Sequence, residues 1–447
     1  MDHLLDNIVF AIILFAGIGF FSVNVKKLIR NIKLGKSVDR SDNSSARWKN
    51  MALIALGQQK MVKKPIAGFL HILVYAGFII INIEVLEIIV DGLFNTHRAF
   101  SFLGGLYNFL IGSFEILALL VIVAVVIFWI RRNIIRLQRF WKPEMKGWPK
   151  SDGNIILYFE MVLMTLFLTM NAADFAIQHG NFAENHHYIT AGAYPVSGPI
   201  SALFSNLGYS TLVIIERTCW WLHIAGILVF LNYLYYSKHL HILLAFPNTY
   251  FANLNPKGQF TNVESVTNEV KLMMDPNADP FAAPEETESD EMPEKFGASD
   301  VTDLNWVQLL NAYTCTECGR CTSECPANQT GKKLSPRKIM MDTRDRLEEV
   351  GKNIDANKGT FKEDGKQLLN DYITKEELWA CTSCNACVEA CPVNIDPLSI
   401  ITEMRRYLVM EESAAPVELN NMMTNIENNG APWPYNQMDR LNWKDEA

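Results

Sequence analysis

"CTECGRCTSECP", residues 315–326, spaces four cysteines as Cys-x2-Cys-x2-Cys-x3-Cys-Pro. Three thiolates at three-residue intervals can wrap one corner of an iron–sulfur cubane. The fourth, set one residue further on and turned away by proline, reaches a second cluster. "CTSCNACVEACP", residues 381–392, repeats the pattern with every cysteine offset by 66 positions. The expected ligand sets are therefore Cys315, Cys318 and Cys321 with Cys391, and Cys381, Cys384 and Cys387 with Cys325, each holding one [4Fe–4S] cluster. Zinc is the plainer reading of paired Cys-x2-Cys units. A tetrahedral zinc, however, takes four thiolates from two such pairs and has no use for a third cysteine and a Cys-Pro step in both copies.

The sequence around the motifs is helical. "SPRKIMMDTRDRLEEV" opens on Ser-Pro and places Ile339, Met340, Leu347 and Val350 near helical spacing, a second helix is expected from Lys375 into the second motif, and a third in "DPLSIITEMRRYLVMEE". The cluster domain is expected over 301–411, with a tail over 412–447 whose two tryptophans could dock a partner or strap the chain's own domain. Ahead of it, residues 251–300 include the acidic, proline-broken "MMDPNADPFAAPEETESDEMPEKFGASD", a solvated tether or docking strap.

Residues 1–250 differ in kind. The chain's 49% hydrophobic content is concentrated there, in five runs near 7–25, 66–90, 104–130, 154–178 and 211–236. Each reaches or exceeds the roughly 20 residues that cross a bilayer core. The first begins MDHLLDN, without a basic residue and without a small-residue cleavage site after it, so a retained membrane helix is expected, not a signal peptide. Lysine and arginine crowd the first loop, Lys26 to Lys64, and the third, Arg131 to Lys150, whereas the other two loops hold only Arg98. The positive-inside rule then puts the N-terminus outside and everything after Lys238 in the cytoplasm, in the cell's inner membrane. The cysteines would lie in a reducing compartment that favours metal over disulfide. The expected fold class is all-α: a five-helix transmembrane bundle followed by a cytoplasmic α-helical ferredoxin domain. A net charge of −8 with no continuous basic face argues against nucleic acid as a partner.

Histidines inside membrane helices invite a functional reading. If the fifth helix runs on through Lys238, His223 and His241 lie five turns apart on one face, and His239 points about 160° away, toward headgroups or cytoplasm. His71 lies about 10 Å inside the cytoplasmic start of the second span, and is the one histidine of the first four spans within reach of His241. His71 and His241 are the expected axial ligands of a b-type haem. Cys219 is expected to be a small core residue, and His186 and His187 to sit on a surface loop.

This half resembles the cytochrome b (gamma) subunit of respiratory nitrate reductase and the membrane subunit of heterodisulfide reductase. The five-span layout, the histidine on the second helix and the pattern His223…Ser237-Lys238-x-x-His241-Ile242 carry the likeness over about residues 1–250. The resemblance implies a possible second haem at His223, but its partner position, about ten residues beyond His71, is Ile81. Met170 and His179 are alternative ligands, and Arg217 faces either Glu216 or a propionate.

The cysteine half resembles the α-helical ferredoxins of heterodisulfide reductase and of the iron–sulfur subunit of succinate dehydrogenase. The whole chain resembles fused membrane iron–sulfur proteins related to heterodisulfide reductase. That implies an electron-transfer subunit working between quinone in the lipid bilayer and a cytoplasmic redox subunit: a CCG-type heterodisulfide-reductase-like subunit, an electron-transfer flavoprotein or a flavin dehydrogenase. The sequence has no adjacent cysteine pair, G-x-G-x-x-G loop or P-loop, so no catalytic residue for a soluble substrate is assigned. A membrane-anchored iron–sulfur sensor or scaffold is the alternative. A pump is weakly supported, with Glu84, Glu87, Glu115 and Glu160 the main intramembrane acids.

Overall fold

The computed structural model describes residues 2–180, 182, 188–276 and 295–445. Regular structure among them is all-α, with isolated bridges joining Lys36 to Asn305 and Leu369 to Ile373. Five long apolar helices form the first half: α1 (Asp2–Ile32), α2 (Pro65–Phe94), α3 (Gly105–Asn133), α4 (Trp148–His179) and α5 (Tyr209–Tyr233). Each is long and apolar enough to cross a membrane, and the chain is a multi-pass membrane protein. α2 packs on α1 and α3, α4 on α3 and α5, and α1 closes the ring against α5. Phe10, Ile111, Phe114, Phe167 and Ile224 fill the centre, and Cys219 is buried among this core as expected. Phe15, Phe69 and Phe109 point outward, each more than 60% exposed, as a lipid-facing surface requires.

The fifth helix departs from expectation. It ends at Tyr233, tightens into a 3-10 turn, and breaks at Ser237, which is extended (φ −114°, ψ 146°). A 3-10 turn over Lys238–Leu240 follows, then α6 (His241–Tyr250). The cause is Asp152 on α4. It accepts hydrogen bonds from the Ser237 hydroxyl at 2.7 Å, the Lys238 N–H at 3.1 Å and the Tyr233 hydroxyl at 2.5 Å, while the Ser237 hydroxyl takes the His239 N–H at 3.1 Å. A carboxylate that collects these donors holds the chain open, taking the Lys238 N–H that a continuous helix would have bonded internally. The helical-phase argument for His239 and His241 therefore fails, and His239 turns inward, its side chain only 14% exposed.

The second half is built from short helices, chiefly α7 (Trp306–Thr314), α8 (Arg320–Glu324), α9 (Pro336–Ala356), α10 (Ala386–Ala390) and α11 (Pro397–Met410). Their starts are encoded locally. Asn305 and Gln308 form a capping box, Ser335 caps α9 ahead of Pro336, and Asp396 caps α11 ahead of Pro397. The expected Lys375 helix is present but short, Lys375–Trp379. This half sits directly on one end of the bundle, called here the cysteine-side end. Arg320 donates to the Lys60 carbonyl at 3.2 Å, Lys36 and Asn305 pair through the backbone, and Arg30 and Asp355 form an ion pair. Most of the acidic tether lies outside the described residues. In the tail, Val417–Asn429 is helical with no buried residue, and Trp433 and Trp443 are exposed.

Candidate metal centres

The two cysteine motifs adopt the same backbone. Glu317 (φ 54°) and Ser383 (φ 56°) occupy equivalent left-handed positions, as do Gly319 (φ 73°) and Asn385 (φ 60°). Cys325 and Cys391 share extended angles at the ends of α8 and α10, and these two helices pack together. A left-handed non-glycine residue costs about 1–3 kcal/mol, so it persists only where its loop is held for a reason. Here the loops aim backbone N–H groups at sulfur: Ser383 to Cys381 Sγ at 3.4 Å and Ile395 to Cys391 Sγ at 3.3 Å.

Packing α8 on α10 interleaves the thiols. Cys321 lies within electrostatic reach of Cys318, Cys315 and Cys391, and more weakly of Cys387. Cys325 acts on both Cys381 and Cys387. Cys391 thus comes toward Cys318 and Cys321, and Cys325 toward Cys381 and Cys387. Burial pushes the Cys315 thiol up to about 12 and Cys391 to about 11, so a thiolate there needs a cation to stabilise it. Thiols of two interleaved motifs, with N–H groups directed at sulfur, are a donor set that fits [4Fe–4S] clusters.

His71 and His241 also meet. Their ring centres are 6.5 Å apart with planes inclined by 42°. Two imidazoles sharing one metal between them would stand roughly 6.2 Å apart, from metal–nitrogen bonds of about 2.0 Å and about 1.1 Å from each nitrogen to its ring centre. His241 Nδ1 is hydrogen-bonded to the Lys238 carbonyl at 3.1 Å, which leaves Nε2 available, the usual orientation of a ligating histidine. His71 Nδ1 is buried without a hydrogen-bond partner among the described residues. The pair fits an axially ligated haem. Sequence reasoning missed His239, whose ring is 5.5 Å from that of His241 and whose Nε2 is 4.0 Å from Glu160. Burial holds the His239 imidazole neutral, down to about 3.

His223 has the same Nδ1-to-carbonyl orientation as His241, but no second histidine faces it among the described residues, since the expected partner position is Ile81. Its Nδ1 bonds the Leu163 carbonyl at 3.0 Å and its ring lies against Phe167. Ile81 and Met170 are core residues, and His179 stacks on Phe175 at 4.1 Å. Arg217 pairs with Glu216 at 2.5 Å. His186 and His187 lie outside the described residues.

One side chain links the histidines to the thiols. Lys238, whose carbonyl holds His241, sends its buried Nζ between Asp152, at 3.7 Å, and Glu317, with which it forms a short ion pair. Glu317 stands between Cys315 and Cys318 and also receives Arg344 at 2.9 Å. Burial would raise the Glu317 carboxyl, but Lys238 and Arg344 together hold it below its ordinary value.

Membrane-spanning helices joined to this paired-cysteine domain define a membrane-bound protein of the iron–sulfur class. Residues 314–395 match the family model described as a 4Fe-4S dicluster domain. The chain is similar to the "Probable iron-sulfur-binding oxidoreductase FadF" of Bacillus subtilis, at 28% identity over 99% of this chain and 61% of that protein. It is also similar to the "EtfAB:quinone oxidoreductase" of Syntrophomonas wolfei, at 26% over 92% of this chain and 55% of that one. A CoB-CoM heterodisulfide reductase component of Methanosarcina acetivorans is 35% identical over 24% of this chain and 52% of its own length. The chain thus spans about three-fifths of the first two relatives. No solved structure gave a significant match.

Proposed function

We propose that this chain carries electrons between a soluble redox partner and membrane quinone, through two [4Fe–4S] clusters and one b-type haem. Cys315, Cys318, Cys321 and Cys391 would hold one cluster, Cys381, Cys384, Cys387 and Cys325 the other, and His71 with His241 the haem. When bound, these groups accept and release single electrons, while the protein fixes their positions and potentials. The observation that carries the reading is the 6.5 Å spacing of the two rings, with Lys238 tying that site to the Cys315–Cys318 loop. An EtfAB-type redox partner and a quinone acceptor are supported by the likeness to the EtfAB:quinone oxidoreductase of Syntrophomonas wolfei. The cysteine side would face the cytoplasm.

A reduced-minus-oxidised spectrum of the purified chain, with iron counted per chain, tests the proposal. A b-type haem band, and clusters that reduce on addition of quinol, are expected. Absence of either favours the sensor or scaffold. Ligand assignment has its own test. Cys325→Ser and Cys387→Ser should each remove about half the iron and together no more than half, whereas Cys325→Ser with Cys321→Ser should remove nearly all of it.

A further inference from the structure

A cleft of about 600 Å³ opens between the cysteine-side ends of α2 and α3 and the first cysteine motif. Four cations line it: Lys64, Arg131, Arg139 and Lys142. Two have polar company, Lys64 with Glu324 at 3.1 Å and Lys142 with the Asn328 side chain at 3.3 Å. Cys318 attracts Arg139, but Arg320, Arg131 and Arg337 repel it, and Arg139 Nε is buried without a hydrogen-bond partner among the described residues. The cleft also takes in the start of α2, where Lys64 makes no side-chain cap. The first N–H groups of this 30-residue helix add positive potential there. Like-charged side chains, an unpaired guanidinium nitrogen and an uncapped helix start are costly together unless an anion answers them.

The setting says which anion. Ile66 and Ala67, at the first turn of a membrane-spanning helix, form the apolar part of the wall. Trp141 and Trp148, 42% and 52% exposed, flank this end of the bundle as interfacial aromatics do. A basic pocket beside helix ends at headgroup depth suits an acidic lipid. We propose that this cleft binds the phosphate headgroup of an anionic phospholipid, with Arg139, Arg131 and Lys142 on the phosphate and Ile66 and Ala67 along the first acyl carbons. Thr322, Ser323 and Asn328 come from the first cysteine motif and its flank. The lipid therefore bridges the bundle and the cluster domain.

The test uses the full chain in nanodiscs of phosphatidylcholine doped with phosphatidylglycerol, with retained lipid counted by native mass spectrometry after detergent release. Phosphatidylglycerol should be enriched over phosphatidylcholine, and Arg139→Gln and Arg131→Gln should each lower its retention roughly fivefold. Iron and haem per chain should stay at the level of the unsubstituted protein. Arg131, at the membrane end of α3, decides the matter if Arg139→Gln loses iron. Equal retention of the two lipids, or unchanged retention in Arg131→Gln, overturns the proposal. So does displacement of the lipid by inorganic phosphate, which would mark a soluble-anion site, or by a short-chain quinone.

Discussion

The two ends of the helix bundle both bury ionisable side chains, but they treat them differently. At the far end Arg98 donates to Glu84 at 3.1 Å, to Asp174 at 2.8 Å and to Asn171 at 2.7 Å. Glu115 takes the Val196 and Ser197 N–H groups, and Glu87 takes the Tyr107 hydroxyl and the Phe100 N–H. Charges there are mostly answered by side chains and loops of the same end, with Glu84 Oε2 left without a hydrogen-bond partner among the described residues. At the cysteine-side end His71 Nδ1 has no partner among the described residues, and Glu160 meets His239 only at 4.0 Å. An unsatisfied polar group in a bilayer costs several kcal/mol. The far end therefore reads as structural closure, and the cysteine-side end as a site shaped for a group the chain binds.

The largest expected effect separates the ends by haem content. His71→Ala and His241→Ala should each abolish the b-type band, whereas His223→Ala should keep it, measured by the pyridine haemochrome assay on purified protein. Haem surviving in either of the first two variants would break the proposed pair. Next in size is Arg98→Met. It leaves Asp174 and Glu84, at 1% and 2% side-chain exposure, without their cation, and should cost about 3–5 kcal/mol of stability. Thermal unfolding in detergent reads that loss, and haem per folded chain should not change. If Arg98→Met instead depleted haem, the far end would not be merely structural.

Lys238→Met lies between the regions and should be milder. Glu317 loses one cation but keeps Arg344 at 2.9 Å, so the expected cost is about 1–3 kcal/mol. Lys238 also sets the carbonyl that holds His241. The variant should therefore slow haem reduction by the clusters while both remain bound, a change visible by stopped-flow absorbance. Unaltered transfer with lower stability would reduce Lys238 to a strut.

Much of this was legible in the sequence because its signals are local. The cysteine spacing carries the dicluster domain, and the apolar runs carry the five spans. The break at Ser237 was not legible, since it is made by Asp152, 85 positions away, and a helical pattern cannot register a carboxylate arriving from another helix. The same contact explains why His239 is buried, not exposed. The Arg98 network left a trace that was read for only one of its meanings. As the sole basic residue of its loops, Arg98 marked orientation. Glu84 and Glu87 on the neighbouring span were already asking for a partner, because an intramembrane acid is rarely unpaired.

The smallest expected effect concerns what joins the halves. Lys63 pairs with Glu389 at 2.7 Å, but both side chains are exposed, 58% and 41%. Exposed pairs contribute about 0–1 kcal/mol, because water and salt already screen them. Lys63→Ala should shift unfolding barely beyond error, and added salt should move the unsubstituted chain and the variant together. The buried contacts predict this indifference. Arg320 reaches the Lys60 carbonyl and the Met61 sulfur from within the cluster domain, and Lys238 reaches Glu317 from the membrane side. A large loss in Lys63→Ala, or release of the cluster domain to limited proteolysis, would mean that surface charge and not this buried seam holds the two halves together.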